Sequence, residues 1–262
     1  MGAHVIAVAN EKGGVGKTTT VLNLGAELAA QGHGPVLLID FDPQASLTQA
    51  LQLDATDRSV YEVVGANERG TRTLDEVIQP ISDHVDIAPT TDWLSESRLG
   101  LSQRMRREEV LRKAIAGVQG RYRYIVIDVA PSYDLLLVNA LVASTGVIIP
   151  VLMDMLAMQG VAAFLRRLDD VRVEFELTPQ LIGTLATQVD LRPRHAQEMI
   201  AAFRANPNLR PFEAAIPRSI VFAEAAAEGI SLRQYRPTHP GTLAYAAFAR
   251  EVHTRVTTIS PT

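Results

Sequence analysis

Apolar residues in this chain come in short, nearly unbroken runs: HVIAVA (4–9), PVLLI (35–39), YIVIDV (124–129), GVIIPV (146–151) and LIGTLA (181–186). Each is too short for a helix and too apolar for a strand with one wet face, which is the pattern of strands buried on both sides. Between the runs the period lengthens. In TTTVLNLGAELAAQG, Val21, Leu24, Gly25 and Leu28 fall on one helical face, and Gly32 stands where a helix would stop. Buried strands alternating with helices predict an α/β fold, a mainly parallel twisted sheet with helices on both faces.

The stretch 41–121 is less regular. It predicts short helical pieces around 59–65, 73–78 and 104–116, and a strand at HVDIAP (84–89). No Pro/Ser-rich linker bounds it, so the expectation is one domain over 1–262 with 41–121 as an irregular helical insertion. A last helix over about 240–256 precedes a short polar tail. No internal repeat or low-complexity segment interrupts this plan.

Composition narrows the chemistry. The 262 residues carry a net charge of −4 with a pI near 5.9, which argues against coating nucleic acid by bulk charge and leaves room for a local basic patch. With no cysteine, disulfides, thiolate metal sites and cysteine nucleophiles are excluded. No run approaches the roughly 20 apolar residues of a membrane span, and the first strand is entered without a charged leader, as expected of an intracellular protein. The histidines, at 4, 33, 84, 195, 239 and 253, show no metal-ligand spacing and are expected on the surface.

The segment ANEKGGVGKTTT (9–20) joins the first strand to the first helix. Small residues there let successive N–H groups turn onto phosphates at a helix N-terminus. This predicts a P-loop NTPase, with Lys17 reaching the outer phosphates of a nucleotide and the Thr18 hydroxyl ligating Mg²⁺. Glu11 stands where the usual pattern has its first glycine. In LLIDFDPQASLTQAL, Asp40 and Asp42 lie at i and i+2 beyond a strand and point to the same side. Asp40 would hold a Mg²⁺-bound water and Asp42 would position the attacking water; on spacing alone, a solvated turn before Pro43 is also open. Asp128, at the end of YIVIDV, is placed to reach the metal through water, or is simply a carboxylate at a strand end.

Lys12 is a second lysine in the same loop, and K-G-G-x-G-K-T-T with that extra lysine resembles the deviant Walker A motif of the ParA/MinD group of ATPases. DFDPQ (40–44), DVAPS (128–132), PVLMDMLAMQG (150–160), LATQVDLRPRH (185–195) and IPRSIVFAEAAAEG (216–229) resemble further boxes of that group, so the likeness runs nearly to GTLAYAAFAREV (241–252). The resemblance implies that Lys12 crosses a two-fold axis to the phosphates held by a second subunit. It implies that Gly13, Gly14, Val15, Gly16, Lys17, Thr18 and Thr19 hold ATP with Mg²⁺, that Thr187 and Pro217 lie near the base, and that Pro131 and Ser132 sense the γ-phosphate. Asp154 occupies a position where the group more often has glutamate.

For function the resemblance implies an ATP-dependent homodimer that binds DNA non-specifically through Arg192, Arg194 and Arg218. It would segregate a chromosome or plasmid with a ParB-like centromere-binding partner, in the cytoplasm and on the nucleoid. Val221 replaces a further basic residue of the IPR segment, which thins the expected DNA patch. Catalysis would rest on Lys12, Lys17 and Asp42 and be weak unless partner and DNA stimulate it, because no arginine finger is evident. The winged or helix-turn-helix extension of longer members is missing, which speaks against an autorepressor.

Other readings stay open. Only three lysines are present, so positive charge is mostly arginine, and RMRREEVLRK…RYR (104–123) is locally basic. Its bland reading is a solvated helix face of Arg–Glu pairs. Arg192, Arg194, Arg210, Arg218 and Arg250 could converge only in three dimensions. The same mechanism could position a protein cargo. A MinD-like membrane positioner would need a basic amphipathic C-terminus, where Val252, Val256 and Ile259 offer little bulk. A small-molecule synthetase of this fold would need neither Lys12 nor the IPR segment.

Overall fold

Eight strands form a single sheet in the computed structural model, which describes residues 2–65, 72–102, 104–132, 134–153, 157–177, 179–190 and 192–258. They are β1 (His4–Val8), β2 (Val36–Phe41), β3 (Gln79–Ser82), β4 (Val85–Ala88), β5 (Tyr124–Val129), β6 (Gly146–Leu152), β7 (Gln180–Val189) and β8 (Pro211–Pro217). Their order is β3-β4-β2-β5-β1-β6-β7-β8, and every neighbouring pair is parallel except β3 with β4. Every residue of β2 and β5 is buried, which is why their sequence runs are apolar without alternation.

Alternate strand residues feed two cores. Leu37, Ile39, Ile125, Ile127, Val147 and Ile149 face one side, against Leu136, Leu137 and Ala140 of the helix Leu135–Ala143 and Val161, Phe164 and Leu168 of Ala157–Glu174. Leu38, Val126 and Ile148 face the other, against Val21, Leu24 and Leu28 of Lys17–Leu28 and Tyr245, Phe248 and Val252 of Pro240–Thr258. The first helix approaches the sheet closely at Gly25, where a Cβ would lie 2.6 Å from Leu38 Cδ2. The helical run ends in a wide turn at Gly32, φ 76°, as the sequence predicts.

Two strands are not evident in the sequence, and both are sheet edges. β3 is half-exposed at alternate positions, and β8 begins and ends with proline. An edge strand has one wet side and tolerates proline, so neither reads as an apolar run. Together β3 and β4 bring part of 41–121 into the sheet. The piece expected at 104–116 starts later, as a 3-10 turn at Arg107–Glu109 after Arg106, whose φ is 54°, and continues as the helix Val110–Ala116; a further helix, Leu94–Ser102, precedes it. Before Leu74–Val77, Thr73 and Glu76 form a reciprocal cap that fixes the start of that short helix.

Candidate active site

The glycine-rich loop leaves the C-terminal end of β1, between β5 and β6, where ligands of open parallel sheets bind. Gly14 (φ 72°) and Gly16 (φ 87°) adopt left-handed backbone that a side chain would strain. Gly16 caps the helix Lys17–Leu28 with no side-chain hydrogen bond, leaving first-turn N–H groups for an anion. Three polar side chains clamp the loop. Asn10 accepts the Lys12 N–H at 2.9 Å and donates to Pro150 O at 2.7 Å. Thr187 donates to Val15 O at 2.8 Å, and Gln188 to Gly14 O at 2.6 Å. Glu11, in place of the first glycine, pairs with Arg167 of the helix Ala157–Glu174.

The two loop lysines differ in setting. Lys17 is 7% exposed, with its Nζ 3.5 Å from Lys12 O. Burial pushes its pKa down, and the charges of Asp128 and Asp42 pull it back. Lys12 is exposed, with Gly13 and Gly14 beside it.

Strand register sets Asp40 directly beside Asp128 at the ends of β2 and β5. Asp40 is fully buried and accepts from Thr48 N (2.8 Å), Thr48 Oγ1 (2.7 Å) and Asp42 N (3.3 Å). Burial still raises its pKa to about 6. Asp128 is also fully buried, and neither carboxylate oxygen has a hydrogen-bond partner of normal geometry. Burial first and Asp40 second raise its pKa well above the usual range, with the Thr18 hydroxyl and Lys17 giving partial relief. A buried carboxylate so poorly satisfied, beside a second one, is an arrangement that a cation would satisfy. The donors are all hard oxygens, and Thr18 with one or two carboxylates is too small a set for an all-protein cage. That fits Mg²⁺, which keeps waters and shares substrate phosphates. Among the described residues no group of three acids or histidines offers a larger cage. Asp42 is 6% exposed and accepts the Gln44 N–H at 2.9 Å.

Beside the loop opens a cavity of about 500 Å³, lined by Gly16, Thr19, Thr187, Pro217, Ile220 and Phe222 among others. The ends of β7 and β8 therefore bring Thr187 and Pro217 to one cavity with the phosphate loop. Tyr245, on its wall, shares a hydrogen bond with Thr20 at 3.2 Å. Arg218 lies on the rim of the same cavity. Arg192 chelates Asp190, with Nη2 2.5 Å from Oδ2, and together with the more distant charge of Arg218 lowers the Asp190 pKa. Arg194 pairs with Glu198 at 3.2 Å. The three arginines thus sit at the β7–β8 end of the sheet, with carboxylates offsetting part of their charge. Ser132 donates to Asp134 at 2.9 Å, and Asp134 caps Leu135–Ala143. Asp154 and the His195 side chain lie outside the described residues.

Asn10, Thr48 and Gln188 escape sequence reasoning, although each lies inside a segment read for its other residues. The histidines are less scattered than their spacing suggests. His33 stacks on His253 at 3.7 Å between ring centroids, His253 Nδ1 is 2.6 Å from the Tyr124 hydroxyl, and His4 lies against Tyr124. Arg106, Arg107 and Arg112 pair with Glu108 and Glu109, the solvated-face arrangement, while Arg104 donates to Gly65 O.

A family model described as an AAA domain matches residues 3–181. The chromosome-partitioning ATPase Soj of Thermus thermophilus is 38% identical over 251 residues, 96% of each chain. The chromosome partitioning protein ParA of Caulobacter vibrioides is 34% identical over 256 residues, 96% of this chain and 94% of that one. A structure of cobyrinic acid a,c-diamide synthase from Mycobacterium smegmatis with bound ATP analog and magnesium superposes with a TM-score of 0.79. It is 32% identical and covers 95% of this chain and 93% of that one. The Cyanothece McdA–ATP complex, at TM-score 0.83 and 21% identity, shares the fold, over 96% of both chains. On the family match and these full-length identities, the chain belongs to the ParA/MinD group of deviant Walker A ATPases, among its Soj- and ParA-like members.

Proposed function

We propose that this chain is an ATPase that dimerises on binding ATP, holds DNA without sequence preference in that state, and segregates a chromosome or plasmid with a ParB-like partner. The observation that carries the reading is the contrast between its two loop lysines. Lys17 is buried among the carboxylates, whereas Lys12 is exposed on the same loop, where it would face a second subunit. ATP would lie with its phosphates on residues 13–19 and its base in the cavity at Thr187 and Pro217. Thr18, with Asp40 and Asp128 through water, would hold Mg²⁺, which when bound neutralises charge on the phosphates. Asp42 would orient the attacking water. Arg192, Arg194 and Arg218 would contact DNA phosphates by counterion release. A protein assembly is the alternative cargo for the same mechanism. No helix among the described residues is long and apolar enough to cross a membrane.

Lys12→Ala and Lys17→Ala test this. Loss of Lys17 should abolish nucleotide binding. Lys12→Ala should bind ATP nearly normally and fail to dimerise, because two facing triphosphates then lack a bridging cation; close interfacial charge pairs are worth on the order of 2–5 kcal/mol. Light scattering with a non-hydrolysable ATP analogue, beside a binding titration, reads both. A Lys12→Ala protein that dimerises would remove the basis of the proposal. The likeness to a synthase supports a second reading, ATP-dependent synthesis on a small acid. In that case ATP turnover would require the acid and be indifferent to Lys12→Ala.

A further inference from the structure

Away from the nucleotide cavity, a groove of about 440 Å³ runs between the helix Leu135–Ala143 and the far end of Ala157–Glu174. Its floor is apolar, made by Leu135 and Val138 from one helix and Val171 and Phe175 at the other. Its rim is acidic: Glu108, Asp134, Asp170 and Glu174 line it against the single cation Arg107. Arg107 is already committed, with Nε 2.9 Å from Glu108 Oε1 and Nη1 3.0 Å from Ser102 O. Asp170 and Glu174 are exposed and, among the described residues, in no ion pair. They stand one helical turn apart, a spacing at which like charges repel and a cation between them is favoured. Val173, in the same turn, is 81% exposed.

We infer that this groove is a docking site for a basic segment of a partner protein, one that sets an apolar side chain on the Leu135–Phe175 floor and lysines or arginines against Asp170 and Glu174. Charge complementarity selects this occupant. An acidic or purely apolar segment would leave Asp170 and Glu174 unneutralised, and a small cation would not cover the floor. The groove also touches the site, because Asp134 on its rim accepts the Ser132 hydroxyl and the N–H groups of Leu136 and Leu137. A cation drawn to Asp134 would compete for the carboxylate that holds Ser132, on the loop leaving Asp128. The inference rests on this groove alone, and on neither the dimer nor the DNA reading.

The test uses the full chain and three labelled probes: a short amphipathic peptide of lysine and leucine, its glutamate-for-lysine version, and its serine-for-leucine version. Fluorescence anisotropy should show binding of the lysine–leucine peptide alone. Asp170→Lys with Glu174→Lys should weaken that binding on the order of tenfold and recruit the glutamate–leucine peptide instead. Asp170→Asn with Glu174→Gln, a gentler change at exposed positions, should give an intermediate loss if the reversal perturbs folding. Equal binding to parent and reversed chains would place the peptide elsewhere. No binding by the parent, or equal binding of the serine version, would overturn the proposal outright. Self-association of the parent that the reversal abolishes would assign the groove to a second copy instead.

Discussion

Asp128 shows how a single residue trades stability for function. With both oxygens buried beside Asp40 and no hydrogen bond of normal geometry, its carboxylate disfavours the folded state. Asp128→Asn removes the like-charge contact and keeps the shape. The ligand-free variant should therefore melt higher than the parent, by about 2–4 °C if it recovers roughly 1 kcal/mol. The same variant should lose most of the extra stabilisation that ATP with Mg²⁺ gives the parent, since that stabilisation depends on affinity. Thermal melts with and without nucleotide measure both. A variant that melts lower without ligand would mean that the carboxylate is satisfied in a way its orphaned oxygens do not indicate.

At the scale of elements, β8 matters more than its short, proline-bounded sequence suggests. As the edge strand beside β7 it carries Pro217 to the cavity and Arg218 to its rim, near Asp190. Because Asp190 and Glu198 pair with Arg192 and Arg194, DNA phosphates would have to displace these carboxylates to engage them. Arg218 has no such direct pairing among the described residues and should contribute most. Arg218→Glu should weaken ATP-dependent DNA retention and reduce the salt slope by about one unit, and adding Arg192→Glu should abolish retention while dimerisation survives. A salt titration of DNA binding checks this. Retention unchanged in the double variant would move the DNA surface elsewhere on the molecule.

Over the whole molecule, the end of the sheet opposite the site, where β1 and β5 begin, gathers His4 from β1, His33 from the end of the first helical run, and His253 from the last helix. Burial foremost, then the Arg123 charge, lowers the pKa of His4 and His33; His253 is lowered by burial, then by His33 and Arg123. Tyr124 faces the same cluster. The unfolded chain therefore takes up these protons first as pH falls, so the cluster's stabilising contribution is full above pH 6.5, the ordinary value, and is lost below it. Asp40, Asp128 and Glu27 act with the opposite sign, since their raised pKa values make the folded chain bind protons first. The telling quantity is thus a difference between chains. His253→Phe keeps a ring stacked on His33 and removes one titrating group. Relative to the parent it should lose less stability between about pH 7 and about pH 5.5. Urea unfolding at the two pH values measures it, and parallel pH dependences would show that the cluster does not couple to folding.

What the sequence settled alone are features whose cause is local. A strand buried on both faces must be apolar throughout, so β1, β2, β5, β6 and most of β7 were legible without knowing their neighbours. Left-handed backbone over an anion needs glycine, so the loop declared itself, and the spacing of Asp40 from Asp42 put both on one side of a strand end. The tertiary structure decided what depends on partners distant in the chain. Edge strands β3 and β8 have one wet side and carry no continuous apolar signal. Thr48 reaches Asp40 through an intervening turn and helix, and Gln188 reaches Gly14 from β7, 174 residues away. The histidine cluster and the acidic groove each join three or more separate segments, and no period along the chain encodes such a meeting. Periodicity reports which face of an element is buried, and only packing chooses what that face meets.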